Sequence, residues 1–265
     1  MCIRDRLERQ AGLRLLHRST TGSTITDEGR RIAERWRPLV AQAGEVAVAQ
    51  RAIRNELRSA TTVAVTPGLV QAMLPTIAAA VVADDPAIGV EVLAASSQQA
   101  CGLVRQGRAE LGLVDGPELP LAMHGEVVGR RELVPVVSTS HPWARRRRPI
   151  TAEELATSQL VMRQRGSGTR DTIEARLAEA GYPLTMPPLT EAVSTNEVIS
   201  TVAFDQGKVC IVARDAAQSA LSARALRIVP SELMFDQQTR LVWLGRAPRS
   251  GAAGRFVEAV RSLSP

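Results

Sequence analysis

Between Arg30 and Arg58 the apolar residues Ile32, Trp36, Leu39, Val46, Ile53 and Leu57 recur near three- and four-residue multiples, with arginine and glutamate between them. That spacing predicts one long helix with a single apolar stripe. Pro38 either kinks it or marks the first turn of a shifted helix. A stripe of this length, with no second helix beside it in the sequence, calls for a partner chain, and these six residues are assigned to a dimer interface. Packing against the chain's own domain is the alternative.

After residue 60 the period shortens. TTVAV (61–65), IGVEVLA (88–94) and ELGLV (110–114) read as strands, and Thr66-Pro67 and Ser96-Ser97 open the helices between them. Strands alternating with helices imply right-handed βαβ units and a parallel sheet. Ligands on such sheets bind outside the carboxyl ends of the strands, where Thr66, Ser96, Ser97 and Asp115 fall. LVPVVSTS (133–140) is a further strand, and Thr151 and Glu154 have the spacing of a capping box. The order then repeats: QLVMR (159–163), a helix, LTEAV (189–193), a helix capped by Ser194-Thr195-Asn196, and KVCIVAR (208–214). TRLVWLG (239–245) and the amphipathic GAAGRFVEAVRSL (251–263) close the chain. The repetition predicts an α/β fold of two similar lobes around one cleft, joined by LVPVVSTS paired with TRLVWLG.

Gly166-Ser167-Gly168-Thr169-Arg170 stands where the second lobe meets that cleft, leading into a short helix closed by Gly181 and Pro183. Two glycines let the backbone approach a ligand closely, and the hydroxyls of Ser167 and Thr169 sit where a helix cap would be. Unpaired amides and the positive end of the helix dipole suit a carboxylate or phosphate. No Gly-Lys-Ser/Thr follows, which excludes a nucleotide P-loop. An ordinary capped helix without a ligand would use the same residues. The cleft set is Thr66, Pro67, Ser97, Gln98, Gly166, Ser167, Gly168, Thr169 and Thr195, with Thr66 and Thr195 as direct hydrogen-bond donors, one from each lobe.

Composition narrows the class. At 265 residues and 45% hydrophobic the chain buries a sizeable core, which aliphatic residues must fill because aromatics are 3%. The net charge of +6 suits a polyanionic partner but equally an arginine-rich coding bias, and the run Arg145 to Arg148 reads as a solvated loop. Cys2, Cys101 and Cys210 are widely spaced and lack a CxxC, so neither a disulfide framework nor a zinc site is expected. No GxSxG, HExxH or paired metal-ligand spacing occurs, His141 reads as structural, and neither an enzyme, a metal nor a cofactor is expected. No apolar run reaches the length of a membrane span, and the chain reads as cytoplasmic without a membrane partner.

The N-terminal stretch carries a resemblance. RSTTGSTIT suits a tight two-stranded turn, and Thr26-Asp27-Glu28 opens the long helix. LExxxGxxLLxRxxxxxxITxxG, through Leu7, Glu8, Gly12, Leu15, Leu16, Arg18, Ile25, Thr26 and Gly29, resembles the end of the DNA-binding domain of LysR-type transcriptional regulators. The span 61–263 resembles their effector-binding domain, a relative of type 2 periplasmic-binding folds, through HPWA, GSGTR and the region of Gly207. The resemblance implies a partial winged helix-turn-helix at 1–29 and a linker helix at 30–59. It further implies effector lobe I at 61–135 and 241–265, and lobe II at 136–240. About 30 residues of the family's recognition region are expected to be missing before the wing. Direct base readout is then impaired, and Arg18, Thr20 and Ser23 touch phosphate backbone. The partners implied are promoter DNA, a small anionic effector and further copies in a homodimer or homotetramer. A solute-binding protein of a transport system would share the cleft but leave the linker helix without a role.

Overall fold

Thr26 starts the long helix. Its hydroxyl accepts from the Gly29 amide at 2.9 Å and donates to the Arg14 carbonyl at 2.7 Å, tying the cap to the preceding segment. Helix α1 (Ile3–Ala11) and an antiparallel hairpin of β1 (Leu16–Ser19) and β2 (Gly22–Ile25) precede it. The Glu8 carboxylate accepts from the amides of Leu15 and Leu16 at 2.8 and 3.0 Å and fixes the link between them. Helix α2 (Asp27–Glu56) then runs through Pro38 as one element, so no shifted helix begins there. The computed structural model describes residues 3–19, 22–56, 60–117, 119–120, 123–184 and 190–263.

The expected single stripe on α2 divides in two. Ile32 and Trp36 are half-buried and line a small apolar cavity of about 210 Å³ with Leu7, Leu15 and Ile25. Leu39, Val46 and Ile53, seven residues apart, remain 62%, 58% and 63% exposed. Leu57 lies outside the described residues. The opposite face of α2 meets the rest of the chain at close range. A Cβ on Gly44 would stand 2.2 Å from the Arg105 carbonyl oxygen, and one on Gly107 would stand 2.4 Å from Ala47 Cβ.

Strand β3 (Ala60–Val65) pairs in parallel with β4 (Gly89–Ala94) on one edge and β5 (Leu111–Asp115) on the other. Helices α3 (Pro67–Ala72) and α4 (Leu74–Asp84) link β3 to β4, and α5 (Ser97–Arg105) links β4 to β5. Alternation along β3 sends Val63 and Val65 toward a core with Ile77, Val81 and Phe256, and Ala64 toward Cys101 and Val104 of α5. Phe256 belongs to α10 (Gly251–Ser262), which comes from the far end of the chain.

The strands that follow run antiparallel, so the sheet is mixed and not the parallel one expected. Strand β6 (His124–Ser138) is fifteen residues long. Its first part lies against β11 (Phe235–Trp243), and its last residues lie against β9 (Val209–Ala213) and β10 (Leu226–Ile228). On its other edge β11 pairs with β5, completing seven strands. The expected partnership of LVPVVSTS with TRLVWLG is therefore displaced. Thr239 to Trp243 face Gly129 to His124, whereas Leu133 to Val137 face β9. The start of β6 is hidden in the sequence because one side of HGEVVGRRE is exposed and charged.

The segment between the two long strands holds a separate parallel pair, β7 (Val161–Arg163) and β8 (Thr190–Ala192), bridged to β9 at Leu160 and Val209. Helices α6 (Ala152–Thr157), α7 (Gly168–Glu179), α8 (Thr195–Phe204) and α9 (Arg214–Ser222) pack around it over two further apolar clusters. The capping box of α6 forms as spaced, with the Thr151 hydroxyl accepting from the Glu154 amide at 3.2 Å. Glu154 returns the bond to the Thr151 amide at 2.9 Å and takes the Arg146 guanidinium at 2.8 and 2.9 Å.

Those contacts, the Arg146 hydrogen bonds first, hold the Glu154 carboxyl down at about 2 against an ordinary value of 4.5. A depressed acid contributes stability that is complete above its unfolded pKa and is lost as pH falls through the folded one. The melting-temperature difference between the wild type and Glu154→Gln is therefore expected to be constant above about pH 5, to shrink as pH falls and to vanish by about pH 1, below the folded pKa. A difference undiminished at about pH 1 removes the ionised carboxylate as its source.

Candidate functional site

The carboxyl ends of β3, β5, β7 and β9 converge on a cavity of about 740 Å³, bounded on one side by α3 and α5 and on the other by α7, α8 and α9. Thr66 follows β3 at the cap position of α3 but makes no cap bond. Its hydroxyl donates instead to Asp115 Oδ2 at 3.2 Å, while Thr239 donates to Oδ1 at 3.0 Å. Arg131, from β6, stands 3.9 Å from Asp115 and binds both Asp215 oxygens at 2.8 Å. Burial pushes the Asp115 carboxyl up from its ordinary pKa, while the Arg131 charge and the two hydroxyls act in the opposite direction.

The glycine turn before α7 presses against the opposite wall. Ser96 caps α5 in a capping box with Gln99. The next two residues reach across: Ser97 Oγ accepts from the Gly168 amide at 3.2 Å, and the Gln98 amide donates to the Gly166 carbonyl at 3.1 Å. Gly166 has φ +80°, and a Cβ on Gly168 would stand 1.8 Å from the Asp115 carbonyl oxygen. The two glycines thus permit a close approach between parts of the protein, with Gly168 also lining the cavity. Ser167 occupies the cap position of α7 without a side-chain cap bond, and Thr169 Oγ1 accepts from the buried Gln237 amide at 3.0 Å. Arg170 is buried and donates to Glu174, Glu191 and the Arg163 carbonyl, tying α7 to β7 and β8.

Arg163, the last residue of β7, is 7% exposed and lines the cavity. Its Nη1 donates to Thr195 Oγ1 at 3.0 Å, its Nε has no partner, and no carboxylate among the described residues lies within 4.0 Å. Burial pulls its pKa below the usual arginine value, opposed by the charges of Glu197 and Asp115. A guanidinium keeps its proton even so. A buried cation with no carboxylate in direct contact is costly even with Glu197 and Asp115 at longer range, and the fork of a guanidinium matches a carboxylate or phosphate. Thr195 opens α8 behind Ser194, which caps the helix in a box with Glu197. Because its oxygen accepts from Arg163, the Thr195 hydroxyl retains its proton for a ligand.

The structure therefore brings Thr66, Pro67, Ser97, Ser167, Gly168, Thr169 and Thr195 to the cavity wall. Gln98 and Gly166 are not part of that wall and bond to each other. Asp115, which the sequence placed at the ligand-binding end of its strand, lines it too, and Arg163, Arg131 and Asp215 line it without having been assigned from sequence. Arg163 ends the strand QLVMR, so the rule that selected Thr66 could have found it. At the N-terminus, Arg18 of β1 pairs with the exposed Ser23 of β2; Thr20 lies outside the described residues. Cys101 and Cys210 are buried and their thiols pushed up by burial, which disfavours the reactive thiolate. His141 is buried and accepts from the Trp143 amide at 3.0 Å, a structural role. Among the described residues there is no cluster of metal-ligating side chains and no helix long and apolar enough to cross a membrane.

Comparison with known proteins agrees with this arrangement. The family profile described as LysR substrate binding domain matches residues 54–264. The uncharacterized HTH-type transcriptional regulator Rv2282c of Mycobacterium tuberculosis is 32% identical over 266 residues, covering 97% of this chain and 85% of the relative. Among solved structures, the CcmR regulatory domain of Synechocystis PCC6803, in complex with 2-PG, superposes with a TM-score of 0.67 at 16% identity, over 77% of this chain and 97% of that one. The effector-binding domain of QuiR in complex with shikimate gives 0.67 at 16% identity, over 77% and 96%. At such identities the two structures show the shared fold.

Proposed function

This chain belongs to the LysR family of transcription regulators, which are not enzymes, and from that premise we propose a cytoplasmic, promoter-binding regulator whose cavity takes a small anionic effector. The observation that carries the effector reading is Arg163, a buried cation without a carboxylate partner at the edge of a cavity between two walls. Thr195, Ser97, Ser167 and Thr169 supply polar contacts beside it, with Thr66 acting through Asp115. Residues 61–135 with 241–265 form one effector lobe and 136–240 the other. Residues 1–29 are the end of a winged helix-turn-helix, with Arg18 and Ser23 toward phosphate, and 30–59 are the linker.

Two copies pair through α2 in this reading. Leu39, Val46 and Ile53 support it, because a heptad of exposed aliphatic residues on a helix whose other face is already occupied is the pattern of a coiled seam. Val46→Asp is expected to shift the protein from dimer to monomer in sedimentation equilibrium and to weaken DNA binding by on the order of tenfold or more through lost avidity. The whole proposal is tested by fluorescence anisotropy on labelled upstream DNA and unrelated DNA, at low and physiological salt, with and without small organic anions. Expected is DNA binding that changes when an anion binds; a preference for the upstream DNA that survives physiological salt would overturn the impaired base readout expected of the partial winged helix-turn-helix. Equal, salt-sensitive binding to both DNAs, indifferent to every anion, would leave only phosphate attraction and reject the promoter reading.

A further inference from the structure

We propose that the ligand of this cavity is a monoanionic organic acid with an apolar body, an aliphatic or aromatic carboxylate, and not a polyhydroxylated or phosphorylated acid. The inference rests on the anion-effector reading and deepens it. The first ground is charge. Four charged residues line the cavity: Arg131, Arg163, Asp115 and Asp215. Arg131 is engaged with Asp215 through two bonds of 2.8 Å and stands 3.9 Å from Asp115. Arg163 alone among these four has no opposite charge within 4.0 Å among the described residues, so one anionic group is matched. A second negative charge, as on a phosphate, meets no further cation and faces the buried Asp115.

The second ground is the division of the walls. On the α8 and α9 side the cavity reaches in among Val161, Val198, Ile199, Val212, Ala216 and Ala220, with Ser194, Thr195 and Asn196 at the start of α8 and Ser200 and Ser219 further along as its polar members. Val161, Val198 and Val212 belong to the apolar cluster beneath those helices, so this part of the cavity is an opening into a core. Hydrocarbon is the group that gains by entering such a place. Elsewhere on the wall Thr66 donates to Asp115, while Ser96, Ser97 and Thr169 accept from Gln99, Gly168 and Gln237 and so keep their own protons. The polar part of the wall therefore offers donors to an acceptor such as a carboxylate oxygen, and the apolar part offers nothing to a hydroxyl. A carboxylate at Arg163 and Thr195 with a chain or ring toward Ala216 and Ala220 gives Arg163 a direct anionic partner and fills the apolar part.

Isothermal titration of the full chain with acetate, butyrate, hexanoate and benzoate, beside hexanol, shikimate and inorganic phosphate, decides the matter. Affinity is expected to rise roughly three- to fourfold per methylene from acetate to hexanoate. Arg163→Met should abolish the advantage of hexanoate over hexanol. Ala216→Leu, or the milder Ala220→Val, should flatten the dependence on chain length while acetate binding persists. If shikimate or phosphate binds more tightly than hexanoate and benzoate, the apolar class is overturned and the anionic effector stands. If hexanol binds as well as hexanoate to the wild type, the role given to Arg163 is overturned. If no anion of either kind binds, this inference and the effector reading fall together.

Discussion

Arg163→Met is expected to raise the stability of the ligand-free protein while lowering its affinity for anions, two effects of opposite sign from one substitution. In the wild type Arg163 is a buried residue, 7% exposed, and no carboxylate among the described residues lies within 4.0 Å of it. Methionine fills similar space without the desolvation cost, and such replacements stabilise by on the order of 1–4 kcal/mol. For a chain of this size each kcal/mol is worth about 2–4 °C, so the melting temperature should climb by roughly 2 °C or more. Removing the charge that meets the ligand should cost about 2–5 kcal/mol of binding, on the order of a hundredfold or more in affinity. Calorimetric melting of both proteins, with and without a saturating anion, reads both effects. A variant that melts lower and binds no less tightly would show that Arg163 is a structural residue.

Gly168→Ala should do the reverse and loosen the contact across the cavity. The added carbon would lie 1.8 Å from the Asp115 carbonyl oxygen, 2.3 Å from its carbon and 2.8 Å from Ser97 Oγ. Two of these atoms are backbone and cannot rotate aside, so the turn must withdraw from β5. It then loses the bond from the Gly168 amide to Ser97 at 3.2 Å and strains that from Gln98 to Gly166 at 3.1 Å. Overpacking and a lost hydrogen bond together imply a destabilisation of about 2–4 kcal/mol. Gly102, inside α5, is the control, because a Cβ there meets nothing within 4 Å. Alanine at that position should stabilise by up to about 1 kcal/mol. Hydrogen exchange distinguishes local from general weakening: the amides of Gln98 and Gly168 should exchange faster in Gly168→Ala while those of Val63 and Leu241 in the core keep their protection. Unchanged exchange at Gln98 would contradict the coupling.

These two glycine and arginine positions also show what the sequence could reveal. The long helix, the parallel β3, β4 and β5, and the capping boxes at Ser96, Thr151 and Ser194 were legible because each rests on local spacing and local hydrogen bonds. The antiparallel half of the sheet was not, because the first nine residues of β6 are mostly polar or glycine with Val128 alone buried, which breaks the alternation of a strand, and β10 is three residues long. Thr66 illustrates a subtler limit. A threonine before proline looks like a cap, yet its hydroxyl turns to Asp115, 49 positions away, a choice set by tertiary contact. Arg163 was passed over because nothing in a sequence distinguishes an arginine whose charge is answered from one whose charge is not. Arg170, seven positions on, has two carboxylates within 2.6 Å.

Helix α5 has its first residues against the glycine turn and its last against the long helix, where neither Gly44 nor Gly107 leaves space for a methyl group. Nine residues of helix make a stiff rod roughly 14 Å long. Such a rod with both ends engaged behaves as a lever without slack. Its cavity end cannot tilt away from Gly168 unless its other end slides along α2 or carries α2 with it. Motion at the cavity and motion of α2 thus share one mechanical part, and a larger residue at Gly44 would press on the far end of that rod without entering the cavity.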